Sequence, residues 1–247
     1  MRKLCVVNYK GGTGKTTTAV HLAHGLALSG KHVLLVDTDP QDSAGYHLGI
    51  HTTTTLYDVL LNKKPLEECI VPARPGLDII CSNEYLFPAE IALAKVHNRE
   101  HILTQRLSKL SMYDFVIIDC APSMNLMNQN ALVFSEEIFL PVSMEYLSLV
   151  GVKQLLKNIK IINKIFKKRV HISKVIPTFY DGGSKKSDHV LRSLKRVFPY
   201  QVSSPIRYCM ELSEAPGVRK TVFESNPNSS GAEDYYSLIK EVLSGGY

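Results

Sequence analysis

The feature that most constrains this chain is a glycine-rich segment, Tyr9–Thr17, between an apolar strand-like run and a helix-like run. Its backbone can curl so that successive N–H groups point inward, because three positions lack a Cβ atom: Gly11, Gly12 and Gly14. The following helix N-terminus adds unpaired donors. Lys15 is placed to reach the β- and γ-phosphates of a nucleotide, and the Thr16 hydroxyl to ligate Mg²⁺. The segment therefore predicts a phosphate-binding loop.

This segment departs from the usual pattern of such loops, G-x-x-x-x-G-K-[ST], in one respect. The position of the first glycine is occupied by Tyr9, and an additional lysine, Lys10, stands just before the glycines. A second lysine beside a triphosphate has negative charge to neutralise. Lys10 could fold back on its own nucleotide or reach a nucleotide held by a second subunit, and the residues alone leave both alternatives open.

Short apolar runs alternate with helix-like segments along the chain. The runs lie at Leu4–Asn8, His32–Asp37, Leu77–Cys81, Phe115–Cys120, Glu137–Val142 and Ile172–Pro177. Helices are expected near 15–29, 84–95, 99–110, 124–134, 147–167, 187–198 and 231–243, whereas 51–76 is less regular and 180–187 has the composition of an exposed loop. This alternation predicts one α/β domain over residues 1–247, with a single doubly wound, mostly parallel sheet flanked by helices.

Carboxylates follow two of the predicted strands. Asp37 and Asp39 are two residues apart, so they share a face of an extended backbone, and Pro40 stops the strand. Asp119 follows four apolar residues and is suited to hold Mg²⁺ through water. Because ligands of open parallel sheets sit beyond the carboxyl ends of the strands, these carboxylates are expected beside the glycine loop. They can hold a metal-bound water and orient an attacking water.

The segment Lys10–Thr16 resembles the deviant Walker A motif of the ParA/MinD superfamily. This resemblance implies that Lys10 acts in trans, on the nucleotide of the opposing subunit in an ATP-sandwich homodimer, and that Lys15 acts in cis. Asp37–Gln41 resembles the D-x-D-P-Q motif, which implies that Asp39 positions the hydrolytic water and that Asp37 supports the metal. The implied nucleotide-binding set within the loop is Lys10, Gly11, Gly12, Thr13, Gly14, Lys15, Thr16 and Thr17.

Three further segments resemble the ParA/Soj branch of this superfamily: Pro141–Gly151, Leu212–Pro216 and Gly231–Tyr235. The start directly at the first strand is similar to the short, Soj-like form. In the loop that the branch uses for adenine, Arg207–Leu212 stands in place of the usual P-R-N-V-R-L, so Cys209 replaces the asparagine associated with the base. The resemblance therefore implies that Arg207 and Cys209 flank the base, with adenine contacts made mostly by the backbone.

The charge of the chain is uneven. Residues 1–150 carry 12 Lys and Arg against 15 Asp and Glu, whereas residues 151–247 carry 17 against 8. A basic C-terminal part suggests an anionic partner, with nucleic acid favoured over membrane. The candidates for contacting double-stranded DNA without sequence preference are Lys185, Lys186, Arg192, Lys195, Arg196, Arg219 and Lys220. A second cluster, Lys164, Lys167, Lys168 and Arg169, also suits the C-terminal end of a long helix.

The resemblance implies an ATPase that requires ATP and Mg²⁺, binds DNA as a homodimer and is stimulated by a ParB-like partner during plasmid or chromosome partition. With no apolar run of membrane-spanning length, we expect a cytoplasmic, nucleoid-associated protein. Alternatives are a positioning ATPase for a protein cargo and a MinD-like membrane-associated regulator, although the acidic last helix disfavours the latter. The five cysteines show no C-x-x-C spacing, which argues against disulfides and against an iron–sulfur reductase.

Overall fold

The computed structural model describes residues 1–61 and 63–245. Within these residues, seven strands form one sheet in the order β3-β4-β2-β5-β1-β6-β7. The strands are β1 (Arg2–Val6), β2 (Val33–Asp37), β3 (Val71–Arg74), β4 (Leu77–Ile80), β5 (Phe115–Asp119), β6 (Glu137–Ser143) and β7 (His171–Thr178). β3 pairs with β4 in antiparallel fashion, and the other pairings are parallel. The predicted doubly wound, mostly parallel sheet is confirmed.

Helices pack on both faces of the sheet. They are α1 (Lys15–Leu28), α2 (Ser43–Leu48), α3 (Leu56–Leu60), α4 (Leu66–Cys69), α5 (Leu86–Leu93), α6 (Ile102–Arg106), α7 (Leu126–Phe134), α8 (Ser148–Phe166), α9 (Lys185–Val197), α10 (Met210–Glu214), α11 (Val222–Ser225) and α12 (Ser230–Leu243). Helices α1 and α12 cover one face, and α7, α8 and α9 cover the other. Because both faces are covered, the central strands are apolar throughout rather than alternating.

The two edges of the sheet are both modified. β3 has four residues, includes Pro72 and shifts register against β4. At the other edge, isolated bridges join Val175 of β7 to Val202 and Tyr180 to Arg207. The segment that follows α9 therefore runs beside β7 and beside the residues that follow this strand.

Several short elements differ from the sequence prediction. The loop predicted over 180–187 is wrong at its end, because Ser184 caps α9 by accepting the Ser187 N–H at 3.4 Å, so the helix begins at Lys185. The helix predicted over 99–110 is a 3₁₀ turn followed by the short α6. The expectation of one domain over 1–247 also spans positions 62, 246 and 247, which lie outside the described residues. No helix among those described is long and apolar enough to cross a bilayer.

A group of buried histidines joins α1 to its neighbours. The His21 Nδ1 atom lies 2.7 Å from the Thr17 carbonyl oxygen, and its Nε2 atom accepts the Val222 N–H at 2.9 Å. An accepting Nε2 carries no proton, so His21 is neutral and donates from Nδ1. Burial lowers the pKa of His21 to about 3, and burial lowers the pKa of His47, whose ring lies 5.2 Å away, to about 4.

These histidines predict acid-sensitive stability. Below a pH of about 6.5, His21 and His47 become protonated in the unfolded chain but stay neutral in the folded protein. Their contribution to the free energy of unfolding is therefore fully present above that pH and is lost as the pH falls toward about 4. Each histidine is expected to contribute a slope of up to about 1.4 kcal/mol per pH unit in this window. Urea unfolding at several pH values measures the slope. His47→Gln should reduce it, whereas His97→Gln, at an exposed position, should not; an unchanged slope in His47→Gln would contradict the account.

Candidate functional site

The glycine-rich segment connects β1 to α1 at the carboxyl end of the sheet. Gly12 and Gly14 have φ angles of 68° and 80°, in the left-handed region that side-chain-bearing residues avoid. Gly14 immediately precedes α1, and within the described residues no side chain caps the first turn of this helix. The uncapped N–H groups of that turn are suited to an anion. The local geometry is therefore that of a phosphate-binding loop.

Lys15 is buried at the start of α1, with 7% of its surface exposed. Its Nζ atom donates to the Lys10 carbonyl oxygen at 3.2 Å, which draws the side chain across the loop. Burial lowers the pKa of Lys15, while the negative charges of Asp119 and Asp39 act in the opposite direction. A buried ammonium group in this setting is suited to a multiply charged anion.

Lys10 points toward the other side of the loop. Its Nζ atom donates to the Ser148 hydroxyl at 3.1 Å, at the start of α8, and Ser148 in turn lies 2.8 Å from the Ser143 hydroxyl. Lys10 also lines a cavity of about 340 Å³, together with Glu145 and Lys186. The two lysines of the loop thus face different regions, which the spacing of the sequence alone does not specify.

Asp119 lies at the end of β5, in register with Val6 of β1 and Asp37 of β2. It is fully buried, and neither carboxylate oxygen has a hydrogen-bond partner among residues 1–61 and 63–245. Burial raises its pKa to about 7, although the nearby Thr16 hydroxyl and the positive charge of Lys15 act in the opposite direction. A buried carboxylate without partners is costly unless a cation compensates it. Together with the Thr16 hydroxyl on the first turn of α1, Asp119 fits a divalent cation that prefers oxygen ligands.

Asp37 has a different environment. One of its oxygens accepts the Asp39 N–H at 2.8 Å, and the other accepts the Ala44 N–H at 2.9 Å. Burial, and then the charge of Asp119, raise its pKa well above the usual value. Asp37 therefore organises the turn between β2 and α2, and through this turn it sets the position of Asp39.

Asp39 borders a cavity of about 290 Å³ together with the loop Ala121–Ser123. One Asp39 oxygen accepts the Gln41 N–H at 3.1 Å. The facing loop is held by Asn128, whose amide donates to the carbonyl oxygens of Ala121 and Ser123. The carboxylate that the D-x-D-P-Q resemblance assigns to water positioning thus shares a cavity with the loop that follows β5. Asn128 was not predicted, because nothing in the sequence indicates that its amide faces backward onto this loop.

A third, largely apolar cavity of about 170 Å³ adjoins the glycine loop at Gly14 and Thr17. Its far wall is formed by residues 206–209 and by Phe179, which has a positive φ of 54°. The Arg207 guanidinium donates to Asp234 of α12 at 2.7 Å, and this contact raises its pKa. Arg207 therefore lines the cavity while its guanidinium group is ion-paired with Asp234 of α12.

Cys209 and Thr13 also belong to the residues predicted to bind the nucleotide. The Cys209 thiol lines the same cavity and donates to the Glu211 carboxylate at 2.9 Å. Thr13 is buried, and its carbonyl oxygen accepts the Thr178 hydroxyl at 3.0 Å. This contact ties the glycine loop to the end of β7, next to Phe179. Phe179 was missed because its backbone conformation has no signal in the sequence.

The seven basic residues predicted to contact DNA fall into two groups. Five are on or at the start of α9, which packs on the sheet face covered by α7 and α8: Lys185, Lys186, Arg192, Lys195 and Arg196. Arg219 and Lys220 follow a 3₁₀ turn that packs against α2 on the opposite face. Lys186 is also paired with Glu145 at 2.6 Å. The structure therefore does not bring the seven residues onto one surface.

The glycine loop, the buried lysine and the acidic strand ends define a P-loop nucleotide-binding protein of the doubly wound type. A family model described as an AAA domain matches residues 1–172. The chain is 35% identical to the chromosome partitioning protein ParA of Caulobacter vibrioides, covering 99% of this chain and 94% of the relative. It is 37% identical to the sporulation initiation inhibitor protein Soj of Bacillus subtilis, covering 98% of each.

The chain belongs to the ParA/Soj family of partition ATPases, as its motifs predicted. A similar solved structure is that of cobyrinic acid a,c-diamide synthase from Mycobacterium smegmatis with a bound ATP analogue and magnesium. Its TM-score is 0.84 at 30% identity, with 98% of this chain and 94% of that chain covered. The relatives and this structure match the chain over nearly its full length.

Proposed function

We propose that this chain is an ATP-dependent dimerisation switch that binds double-stranded DNA without sequence preference and drives plasmid or chromosome partition with a ParB-like partner. The observation that carries the proposal is the arrangement of two lysines on one glycine loop. Lys15 is buried toward Asp119, while Lys10 extends to the opposite side of the loop. One lysine is thereby available for the chain's own nucleotide and the other for a nucleotide held by a second copy.

The nucleotide is proposed to be ATP, with its phosphates on Gly11–Thr17 and its base in the cavity beside Arg207 and Cys209. Thr16 and Asp119 would hold Mg²⁺, with Asp37 supporting the site through the turn that it organises. When bound, the metal neutralises charge on the β- and γ-phosphates. The unpartnered oxygens of Asp119 and the match to a structure containing an ATP analogue and magnesium support this assignment.

Hydrolysis is proposed to depend on Asp39. Its carboxylate borders the cavity shared with Ala121–Ser123, where it can orient a water molecule for attack on the terminal phosphate. Asn128 holds the facing loop, so the loss of the phosphate can be transmitted to α7, which carries Asn128. A ParB-like partner would accelerate this step and release the dimer from DNA. In the cell, the protein would then be cytoplasmic and nucleoid-associated.

A gel-shift assay with a short duplex of arbitrary sequence tests the proposal. We expect retardation with ATP, and little with ADP or without nucleotide. In the proposal, the dimer forms when Lys10 of each copy contacts the ATP held by the other copy. Light scattering under the same conditions should show a dimer in the presence of ATP and a monomer with ADP or without nucleotide. Equal retardation in all three states, or an ATP-bound monomer, would contradict the proposed dimerisation switch.

The same assay tests whether the basic residues of α9 contact DNA. Arg192/Lys195/Arg196→Glu should weaken DNA binding by about tenfold or more at low salt, because phosphate neutralisation dominates such affinity. ATP binding should be retained, since these side chains are remote from the glycine loop in sequence and lie on a different element. Unchanged DNA affinity in this variant would exclude α9 from the DNA surface.

A further inference from the structure

Helix α8 carries a row of lysines that the functional site does not use. These residues, here called the α8 lysine row, are all exposed and recur at intervals of three or four along the helix: Lys153, Lys157, Lys160 and Lys164. Side chains at this spacing share one side of a helix. The opposite side is buried in the core through Val152, Leu155 and Ile162. The row therefore faces directly away from the sheet.

The charge of this row is uncompensated. Helix α8 contains no Asp or Glu, and no acidic side chain in residues 1–61 and 63–245 pairs with any lysine of the row. On α9, by contrast, Lys186 is paired with Glu145. Four unpaired ammonium groups on one helix side repel one another, so an anionic partner would relieve this repulsion.

The distribution of apolar residues on α8 favours DNA over a membrane as this partner. Ile161 and Ile165 are exposed, but they lie on one flank of the helix while the lysines occupy its outward centre. A helix that enters a bilayer surface places its apolar residues at the centre and its lysines at the sides. The row spans 12 residues, or roughly 16 Å from the first to the last, along which duplex DNA presents about ten phosphate charges.

The inner side of α8 contacts the candidate nucleotide site at three points. The Ser148 hydroxyl accepts a hydrogen bond from the Lys10 ammonium at 3.1 Å. Gly151 lies so close to the glycine loop that an added Cβ would meet the Asn8 amide oxygen at 3.3 Å. Asn158 donates to the Met124 sulfur at 3.7 Å, beside the loop that follows β5. A change at either loop can therefore move the helix that carries the row.

We propose that the α8 lysine row is a DNA-phosphate-binding surface, additional to α9, whose position follows the state of the glycine loop through α8. This inference rests on the proposed function, because it assumes that the ATP form binds DNA. The row and α9 belong to helices that pack on the same sheet face, and in this inference both contact one duplex. Arg219 and Lys220, on the other face, are then not required for contact with that duplex.

The test compares three quadruple variants of the full chain. Lys153/Lys157/Lys160/Lys164→Gln removes the row, and the same positions changed to Arg preserve its charge. Lys64/Lys95/Lys109/Lys240→Gln removes the same charge from exposed positions outside α8. With ATP, the first variant should bind duplex DNA at least about tenfold more weakly than the third, and the slope of its salt dependence should fall by about 0.9 for each phosphate that is no longer neutralised. The Arg variant should bind like the unmodified chain.

Equal affinity and salt dependence in the two Gln variants would overturn the inference. Equal loss in the Gln and Arg variants would also overturn it, because a surface that binds phosphates through its charge is preserved when Lys is replaced by Arg. Sedimentation with phosphatidylserine vesicles provides a further arm. If the row proves necessary for vesicle binding and dispensable for DNA, the surface is a membrane contact and the inference fails. If the unmodified chain binds DNA and the variant without the row binds it equally well, this inference alone fails. If the unmodified chain binds no DNA in any nucleotide state, the proposed function fails as well.

Discussion

Replacement of Lys15 by alanine is expected to abolish measurable ATP binding. The ammonium group is buried at the start of α1 and lies against the glycine loop, where it can donate to two phosphate oxygens. Hydrogen bonds to charged groups contribute about 1.5–3 kcal/mol each, so losing two should weaken binding by roughly 10²–10⁴-fold. Titration with a fluorescent ATP analogue measures this loss directly.

The fold should survive this substitution. Burial already lowers the pKa of Lys15, and no ion pair anchors its Nζ atom within the described part of the chain, so the thermal unfolding midpoint should stay the same or rise. Lys109→Ala, at an exposed position, is the matched control and should bind ATP normally. Retention of ATP affinity by Lys15→Ala would show that the phosphates lie elsewhere.

Replacement of Asp39 by alanine is expected to leave an ATP-bound dimer that hydrolyses poorly. Asp39 is separate from the buried Asp119, so nucleotide and metal binding should persist, while the water facing the terminal phosphate loses its acceptor. Loss of a positioned acid–base group typically costs 10²–10⁴-fold in rate, and we expect a decrease of about this size in phosphate release. Phosphate release and light scattering on the same sample separate turnover from assembly.

Asp39→Asn separates the chemistry of the carboxylate from its structural contact. An asparagine oxygen can still accept the Gln41 N–H that Asp39 accepts at 3.1 Å, so the turn after β2 should be preserved. If the carboxylate is the active group, Asn and Ala variants should be equally slow. Normal turnover in both would refute the assignment, and recovery in the Asn variant alone would reduce Asp39 to a residue that shapes the turn.

The sequence was most informative where one backbone conformation or one charge is needed. Gly12 and Gly14 occupy left-handed positions, and Asp119 ends a buried strand beside the loop; both follow from local pattern. The direction of a long side chain does not, and the contacts of Lys10 with Ser148 and of Arg207 with Asp234 depend on elements over 20 residues away in the chain. The division of the basic residues between two sheet faces likewise required the three-dimensional topology.

Short elements were predicted less well than long ones. Helix α8 was placed within about one residue at each end, because 19 residues give a clear helical period. Elements such as α10 (Met210–Glu214) and β3 (Val71–Arg74) hold four or five residues, too few for a period to be distinguished from chance. Their positions are set by packing against the rest of the chain.

The modified edges of the sheet restrict how two copies can associate. An exposed strand edge is a template for main-chain pairing with another molecule, but one edge here carries Pro72, which lacks an N–H, and the other is bridged by residues 202 and 207. Continuous sheet extension between copies, the route to domain swapping and fibrils, is therefore disfavoured. In the proposed dimer, contacts between subunits would then use side chains and loops, which can be made and broken without separating the strands of a shared sheet.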